Sequence, residues 1–438
     1  MNTFLRASRW VALVVLVEAF AQGAEPKPRV LALKEAAEIA LQRHPSISAA
    51  ELKALAAKQV MRETRAAYFP TVSANVTAVG ASGENTRIAA GGLNNSLVLE
   101  RNAEGIAISQ LLTDFGRTGD LTASSKSRAQ AEEKNAEATR EQILLQVDTS
   151  YFSALQAQSV LQVARQTVST RQALLEQVQE LARNKLKSDL DVSYANVNYE
   201  EGKLLLAQAE NDLRGAMANL ATLLSLPAEQ NFQLAEEPFP QALTNDTAQL
   251  VSEALQLRPE LARLRFEVEA ALEFARAEKK TLFPTISAIG TAGVVPIRDA
   301  RLPANYAAAG VNLNVPLFTG GLYAARRQEA ELRAKAAQET LRDQENNVIR
   351  DVRMARLNAD YTFERVDMTA KLLDAANQAF DLTQARYNVG ANSIVELSQA
   401  QLNKTSAEIA QANAKYQYHL QRAILDFQIG RLRIENLK

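Results

Sequence analysis

The chain has 438 residues, with 49 Lys+Arg against 50 Asp+Glu, a net charge of −1 at pH 7, two histidines and no cysteine. Those numbers exclude a disulfide framework and a thiolate metal site, leave no cysteine to carry an N-terminal lipid, and give no electrostatic footprint for nucleic acid. Pro (12) and Gly (17) are sparse, and an excess of Ala, Leu, Gln, Glu and Arg favours long helices.

Residues 1–24 read as a secretory signal peptide. Arg6 and Arg9 precede a short apolar run at 10–17 (WVALVVLV), and Ala19-Phe20-Ala21 or the bond after Ala24 offers small-residue cleavage positions. Glu18 is an untidy element in it. The run is far short of the ~20 apolar residues that a spanning helix needs. No other stretch reaches that length, so any further crossing of a membrane is expected to be made by strands.

The first repeat is expected over 30–226. Pro45 opens a helix, at a position where proline is tolerated, and the helix stops before Pro70 because the residue preceding a proline is pushed out of the helical region. TVSANVTAV (71–79) alternates, with Val72, Ala74, Val76 and Ala78 on one face. A polar, glycine-containing loop (80–102) leads to a return strand at 103–112, with Ile106 and Ile108 on one face, so that a β-hairpin occupies 70–112. DFGR (114–117) bends the chain into a helix over 118–183 with a heptad seam of Val147, Ala154, Leu161, Val168, Leu175 and Ala182. NKLKSD (184–189) turns it into a return helix over 190–226, and 227–248, with three prolines and little periodicity, read as a linker.

The second repeat, 249–430, says nearly the same thing. ALQRHPSI (40–47) returns as ALQLRPEL (254–261), and FPTVSA (69–74) as FPTISA (283–288), both 214 residues on. A helix over 259–282 opens with Pro259 and ends before Pro284. The hairpin at 284–317 follows. TISAIGTAGVV (285–295) sets Ile286, Ala288, Ala292 and Val294 on one face; Pro296 and Pro303 punctuate a short loop. Residues 307–317 set Ala307, Ala309, Val311, Leu313, Val315 and Leu317 against Gly310, Asn312 and Asn314. Two-faced strands of ~9–11 residues fit transmembrane hairpins.

PLFTGG (316–321) makes the bend from strand to helix, and no phosphate-loop spacing follows it. The expected strand–helix bends are therefore Pro70, Gly116, Pro284, Pro316, Gly320 and Gly321. From Leu322 to Tyr387 there is neither proline nor glycine, which makes a helix roughly 100 Å long. Its seam is Val352, Ala359, Val366, Leu373, Phe380 and Tyr387, with small residues three positions on. A turn at NVGAN (388–392), a return helix over 393–429 and a tail at 431–438 complete the chain.

The fold class read from this pattern is an α+β membrane protein: a transmembrane β-barrel with four strands per chain, continued by a long antiparallel α-helical barrel. Four strands cannot close a barrel, and an open sheet edge in lipid leaves backbone groups without partners. The chain must therefore oligomerise. Two chains give eight strands, about the number of a barrel filled by its own side chains; three give twelve and an open pore. Strand count alone leaves both open.

A signal peptide, two copies of helix-FP-hairpin-long helix, the motif VPLFTGG (315–321) and the turn RYNVGANSIVELSQA (386–400) resemble the TolC-type outer membrane efflux protein family, over essentially the whole mature chain. The resemblance implies a homotrimer with a twelve-stranded barrel in the outer-membrane lipid of a Gram-negative bacterium and a tapering helical tunnel in the periplasm. An inner-membrane transporter and a periplasmic adaptor protein would dock there. The function implied is the passive exit duct of a tripartite efflux pump or a type I secretion system. The alternative is a periplasmic coiled-coil scaffold or adaptor without a pore.

The family closes its tunnel at the periplasmic tip, where acidic side chains line the narrowest rings. Carried over residue by residue, the first-turn acid falls at Asp191 in SDLDVSYA (188–195), and the tyrosine before the second turn at Tyr387. The two ring positions after it fall at Glu396 and at Gln399, which is uncharged, and the turn arginine falls at Asn392. An arginine link to Asp191 is thus missing, and the closed state is expected to rest on Asp191–Tyr387 and neutral contacts. Three copies of Glu396 around an axis would form a cation-binding constriction. Both acids also suit a solvated helix start. His44 and His419 lie in different copies without ligand-like spacing, and no nucleophile motif is present, so neither a metal, a cofactor nor enzymatic activity is expected.

Overall fold

The computed structural model describes residues 29–80, 87–88, 96–97, 100–227, 232–243 and 246–432. The expected signal peptide, most of the 80–102 loop, residues 228–231 and 244–245 of the linker, and 433–438 of the tail lie outside the described residues. The first repeat holds β1 (Arg29–Leu31), α1 (Leu33–Arg43), α2 (Pro45–Ala66) and β2 (Thr71–Val79). Two-residue strands β3 (Arg87–Ile88) and β4 (Ser96–Leu97) follow, then β5 (Arg101–Thr113), α3 (Arg117–Arg183) and α4 (Asp189–Leu223). β6 (Phe232–Leu234) leads into the second repeat: α5 (Thr247–Leu257), α6 (Pro259–Lys279), a 3-10 turn (Lys280–Leu282), β7 (Thr285–Arg298) and β8 (Asn305–Asn314). The chain ends on α7 (Leu322–Asn388) and α8 (Ile394–Ile429).

α3 and α7 have 67 residues each. Their length follows from the absence of proline, with no glycine beyond Gly119 in the first turn of α3, and from seams of small buried residues. Val147, Ala154, Ala164, Val352 and Ala359 are wholly buried, so neighbouring helices approach closely. Tyr151 anchors the middle of α3: its hydroxyl lies 2.9 Å from the Leu31 carbonyl and 2.8 Å from that of Ala235, as donor. Tyr416 and Tyr418 on α8 donate to Glu236 Oε1 (2.6 Å) and the Gln241 carbonyl (2.9 Å). Residues 232–243 are thereby strapped across the helices.

The strands β2-β5-β7-β8 form one antiparallel sheet in that order. The register sets Val72, Ile108, Gly290 and Ala309 in one row, and Ala74, Ile106, Ala292 and Ala307 in the next. The opposite face carries Ser73, Ala107, Thr291 and Ala308, then Ser287 beside Asn312. One face is therefore apolar and the other small and polar, because strand side chains alternate. The apolar face is bare in a single chain: Val72 is 64% and Val76 74% exposed. Among the described residues, β2 and β8 each pair on one side only.

Several sequence expectations are corrected. Pro296 lies inside β7, not in a loop. It sits at a bulge, where the register passes from Asn102↔Ile297 to Glu104↔Val294 and leaves Val295-Pro296 opposite Ala103; a proline cannot donate to the ladder and is tolerated at such a point. The last strand ends at Asn314, and Val315, Pro316 and Leu317 leave it, since Pro316 lacks an N–H. The supposed linker carries β6, which pairs in parallel with β1 through Val30↔Gln233, and the start of α5. α2 ends at Ala66 in a turn closed by Phe69 N–H donating to the Ala66 carbonyl (2.9 Å). The return helix of the first copy stops at Leu223, not 226.

Candidate functional site

The far ends of α3–α4 and α7–α8 close through two turns of the same construction. Leu186 N–H donates to the Leu181 carbonyl (2.9 Å), and Ala391 N–H to that of Arg386 (2.8 Å). The bend is made by a left-handed residue in each case, Lys185 (φ 60°) and Gly390 (φ 76°). Each return helix then starts on a serine. Ser188 Oγ accepts from Asp191 N–H (3.2 Å), and Ser393 Oγ accepts from Glu396 N–H (3.3 Å). Both are helix N-caps. Asp191 and Glu396 are thus the same position of the two copies.

Asp191 completes a capping box. Its carboxylate accepts from Ser188 N–H (3.0 Å) and Ser188 Oγ (2.8 Å). The Ser188 backbone N–H holds this carboxyl below the usual range, helped by the Ser188 hydroxyl and the nearby Lys187 charge, against a smaller effect of burial. Tyr387 is 2% exposed and packs with Leu174, Val178, Ile394 and Leu397 where the four helices meet. Burial raises its phenol, and the Asp191 charge adds to that. Asp191 and Tyr387 therefore lie within electrostatic reach. No hydrogen bond joins them: the Tyr387 hydroxyl has no partner among the described residues. The face of its ring is instead covered by Lys187, whose Nζ stands 4.1 Å from the ring centroid.

Glu396 and Gln399 are exposed, and Asn392 is half-buried in the turn. Gln399 Nε2 donates to Asn403 Oδ1 (3.0 Å), one turn along α8. The two hairpins are also joined by Asn198 Nδ2 donating to Ser398 Oγ at 2.5 Å. Arg171, 5% exposed, donates through Nη1 to the Asn198 carbonyl (2.6 Å) and faces Glu201 at 3.5 Å; burial pulls its guanidinium down. The capping serines were readable from the spacings SDLD and SIVE. The contacts of Lys187, Asn198 and Ser398 carry no sequence signal, because they depend on how the hairpins lie together.

At the opposite end of the long helices, Gly116 (φ 87°) and Gly321 (φ 83°) are the residues from which α3 and α7 start, each preceded by a left-handed residue, Phe115 and Gly320. Pro70 and Pro284 stand directly before β2 and β7, and Pro316 between β8 and α7. The histidines are far from one another in role. His44 Nδ1 accepts from Ser46 N–H (3.2 Å) as the cap of α2, and His419 is buried. Among the described residues no group of three His, Cys, Asp or Glu is placed to hold a metal ion.

The family model for "Outer membrane efflux protein" matches residues 36–225 and 250–431, one copy each. The pyoverdine export outer membrane protein OpmQ of Pseudomonas aeruginosa is 27% identical over 272 residues, 61% of this chain; the match spans 57% of that relative's length. The outer membrane protein TolC of Vibrio cholerae is 26% identical over 335 residues, 75% of this chain and 76% of that protein. A crystal structure of a membrane protein from Pseudomonas aeruginosa superposes with a TM-score of 0.80 at 22% identity, covering 91% of this chain and 93% of that one; at that identity the likeness speaks for the fold. With both repeats matched and the fold shared, the chain belongs to the outer membrane efflux protein family.

Proposed function

We propose that this protein is the exit duct of a tripartite efflux pump or a type I secretion system in the outer membrane of a Gram-negative bacterium. The observation that carries the reading is the four-stranded sheet. It has one apolar face, two edges that are unpaired among the described residues, and a direct continuation into the 67-residue helices. Open edges demand pairing with further copies in a membrane. Three copies would give twelve strands and a pore wider than the roughly eight-stranded, side-chain-filled barrel. The helices would then hang as a tunnel in the periplasm, reached by an adaptor protein and an inner-membrane transporter. At the family level this is a conduit and not an enzyme. Asp191, Tyr387, Asn392, Glu396 and Gln399 would line or brace the narrow end.

A poreless scaffold leaves the apolar face of the sheet without a role. Purified protein reconstituted into planar bilayers is expected to be trimeric by native mass spectrometry and to pass ions. A monomer or dimer giving no current, with Glu396→Ala giving none either, would sink the duct reading.

A further inference from the structure

We propose that Lys187 is the latch of the tip, holding the two helical hairpins of one chain together through the face of Tyr387. The inference rests on the duct reading and concerns how its narrow end is kept shut. Lys187 belongs to the first turn and Tyr387 to the end of α7, so their contact bridges the α3–α4 hairpin and the α7–α8 hairpin. Tyr387 is buried in one apolar cluster with Leu174, Val178, Ile394 and Leu397, so the cation meets a ring already withdrawn from solvent. Lys187 is half-buried, and an ammonium over an aromatic face gains as water is excluded.

Three further observations give the contact its specificity. The Tyr387 hydroxyl is buried without a hydrogen-bond partner among the described residues, so what holds the ring to the other hairpin is its face and not its polar end. The Asp191 carboxylate is held by the N–H and hydroxyl of Ser188; it is a cap and a neighbouring negative charge for Lys187, not an acceptor for the phenol. Finally, the repeat assigns Lys187 a counterpart. The two turns share the left-handed residue (Lys185, Gly390), the backbone bond that follows it (Leu186 N–H, Ala391 N–H) and the serine cap (Ser188, Ser393) at one sequence spacing, which pairs Lys187 with Asn392. The second turn of this chain has no cation at that position; the first has one, and it reaches across.

The geometry separates this latch from a phenol–carboxylate lock. A lock through the hydroxyl fails when Tyr387 becomes Phe; a latch through the ring survives. Full-length wild-type protein and the variants Lys187→Met, Lys187→Arg, Tyr387→Phe and Asp191→Asn would be compared by single-channel recording in planar bilayers. Hydrogen exchange of the amides in 184–192 and 387–396 would be followed on the same samples. Lys187→Met keeps the aliphatic stem and removes the charge. It is expected to raise the open-to-closed ratio about 3- to 30-fold and to accelerate exchange in both turns. Tyr387→Phe and Lys187→Arg are expected to match wild type. Lys187→Met indistinguishable from wild type in both current and exchange overturns the latch, and so does Tyr387→Phe opening as far as Lys187→Met. Faster exchange in Lys187→Met with no current from any protein keeps the latch and overturns the duct.

Discussion

Lys185 and Gly390 hold the same left-handed place in the two tip turns, at φ 60° and 76°. The pattern recurs along the chain: Phe115 and Ser225 are left-handed (φ 56° and 52°) where the second copy has Gly320 and Gly430 (φ 60° and 80°). A side chain in this region costs about 1–2 kcal/mol through the approach of Cβ to the carbonyl. Glycine removes that cost but loses more freedom on folding. Lys185→Gly is therefore expected to stabilise the protein by about 0.5–1 kcal/mol and Gly390→Ala to destabilise it by about 1 kcal/mol. Thermal unfolding of the detergent-solubilised protein checks both. A stability ranking with Gly390→Ala above wild type would contradict the shared backbone.

Pro70 and Pro284 mark the entries to β2 and β7 because proline restricts the residue before it. The heptad from Val352 to Tyr387 marks α7 because nothing in that stretch interrupts it. Pro296 misled, since a proline inside a strand is legible only once the opposing Ala103 shows a bulge. β6 was missed because its partner β1 lies about two hundred residues away, as Val30↔Gln233 shows, and three residues leave no periodicity. At the tip, the residue types of the two acids were legible and their bonding was not. Asp191 turns inward to Ser188 through a local spacing, whereas Lys187 reaches Tyr387 only because two hairpins pack side by side.

On the polar face of the sheet, Gly105, Gly293 and Tyr306 form one row across β5, β7 and β8. A Cβ on Gly105 would stand 2.1 Å from the Tyr306 hydroxyl oxygen; one on Gly293 would stand 2.2 Å from the Glu104 carbonyl oxygen and 2.6 Å from the Tyr306 ring. The ring lies across both glycines. Overpacking of this kind costs typically 1–3 kcal/mol, so Gly105→Ala and Gly293→Ala should each lower the melting temperature. Adding Tyr306→Ala should restore more of the loss at Gly105, where the closest atom belongs to a side chain, than at Gly293, where it is backbone. Equal rescue at both positions in a double-mutant cycle would show that Tyr306 does not fill the row.

Glu396 caps no helix with its own carboxylate: Ser393 supplies the cap, and the side chain is exposed. In a trimer its three copies would face a narrow axis, while the neutral Gln399 adds nothing to the field. Glu396→Gln is therefore expected to lower cation-over-anion selectivity several-fold and to weaken block by divalent cations, with little change in stability because the carboxylate holds no hydrogen bond or ion pair among the described residues. Reversal potentials in asymmetric KCl measure the first quantity. Unchanged selectivity in Glu396→Gln would place the carboxylate away from the axis.

The ring of Phe152 on α3 stacks on His419 of α8 at a centroid distance of 4.6 Å, and Asp148 lies one helical turn from Phe152. His419 and Asp148 are 4% and 2% exposed, and burial drives their protons in opposite directions. Burial raises Asp148 from 3.8 to about 7, with repulsion from Asp426 and Glu237 adding to it. Burial lowers His419 from 6.5 to about 4, with Lys415 adding and Glu236 opposing. The folded protein thus protonates Asp148 well before the unfolded chain does. Its contribution to stability is complete below the ordinary carboxyl value and is lost as pH rises through about 7. His419 behaves in the opposite sense: its contribution is present above 6.5 and is lost as pH falls towards about 4. Between those limits the two slopes oppose each other, each bounded by about 1.4 kcal/mol per pH unit. Relative to wild type, His419→Phe should therefore gain stability on acidification from pH 6.5 to 4.5, because Asp148 is left to act alone. Asp148→Asn should lose stability over the same interval. Melting curves at pH 4.5, 5.5 and 6.5 measure the slopes, and variants whose slopes both match wild type would mean that neither group stays buried in the assembled protein.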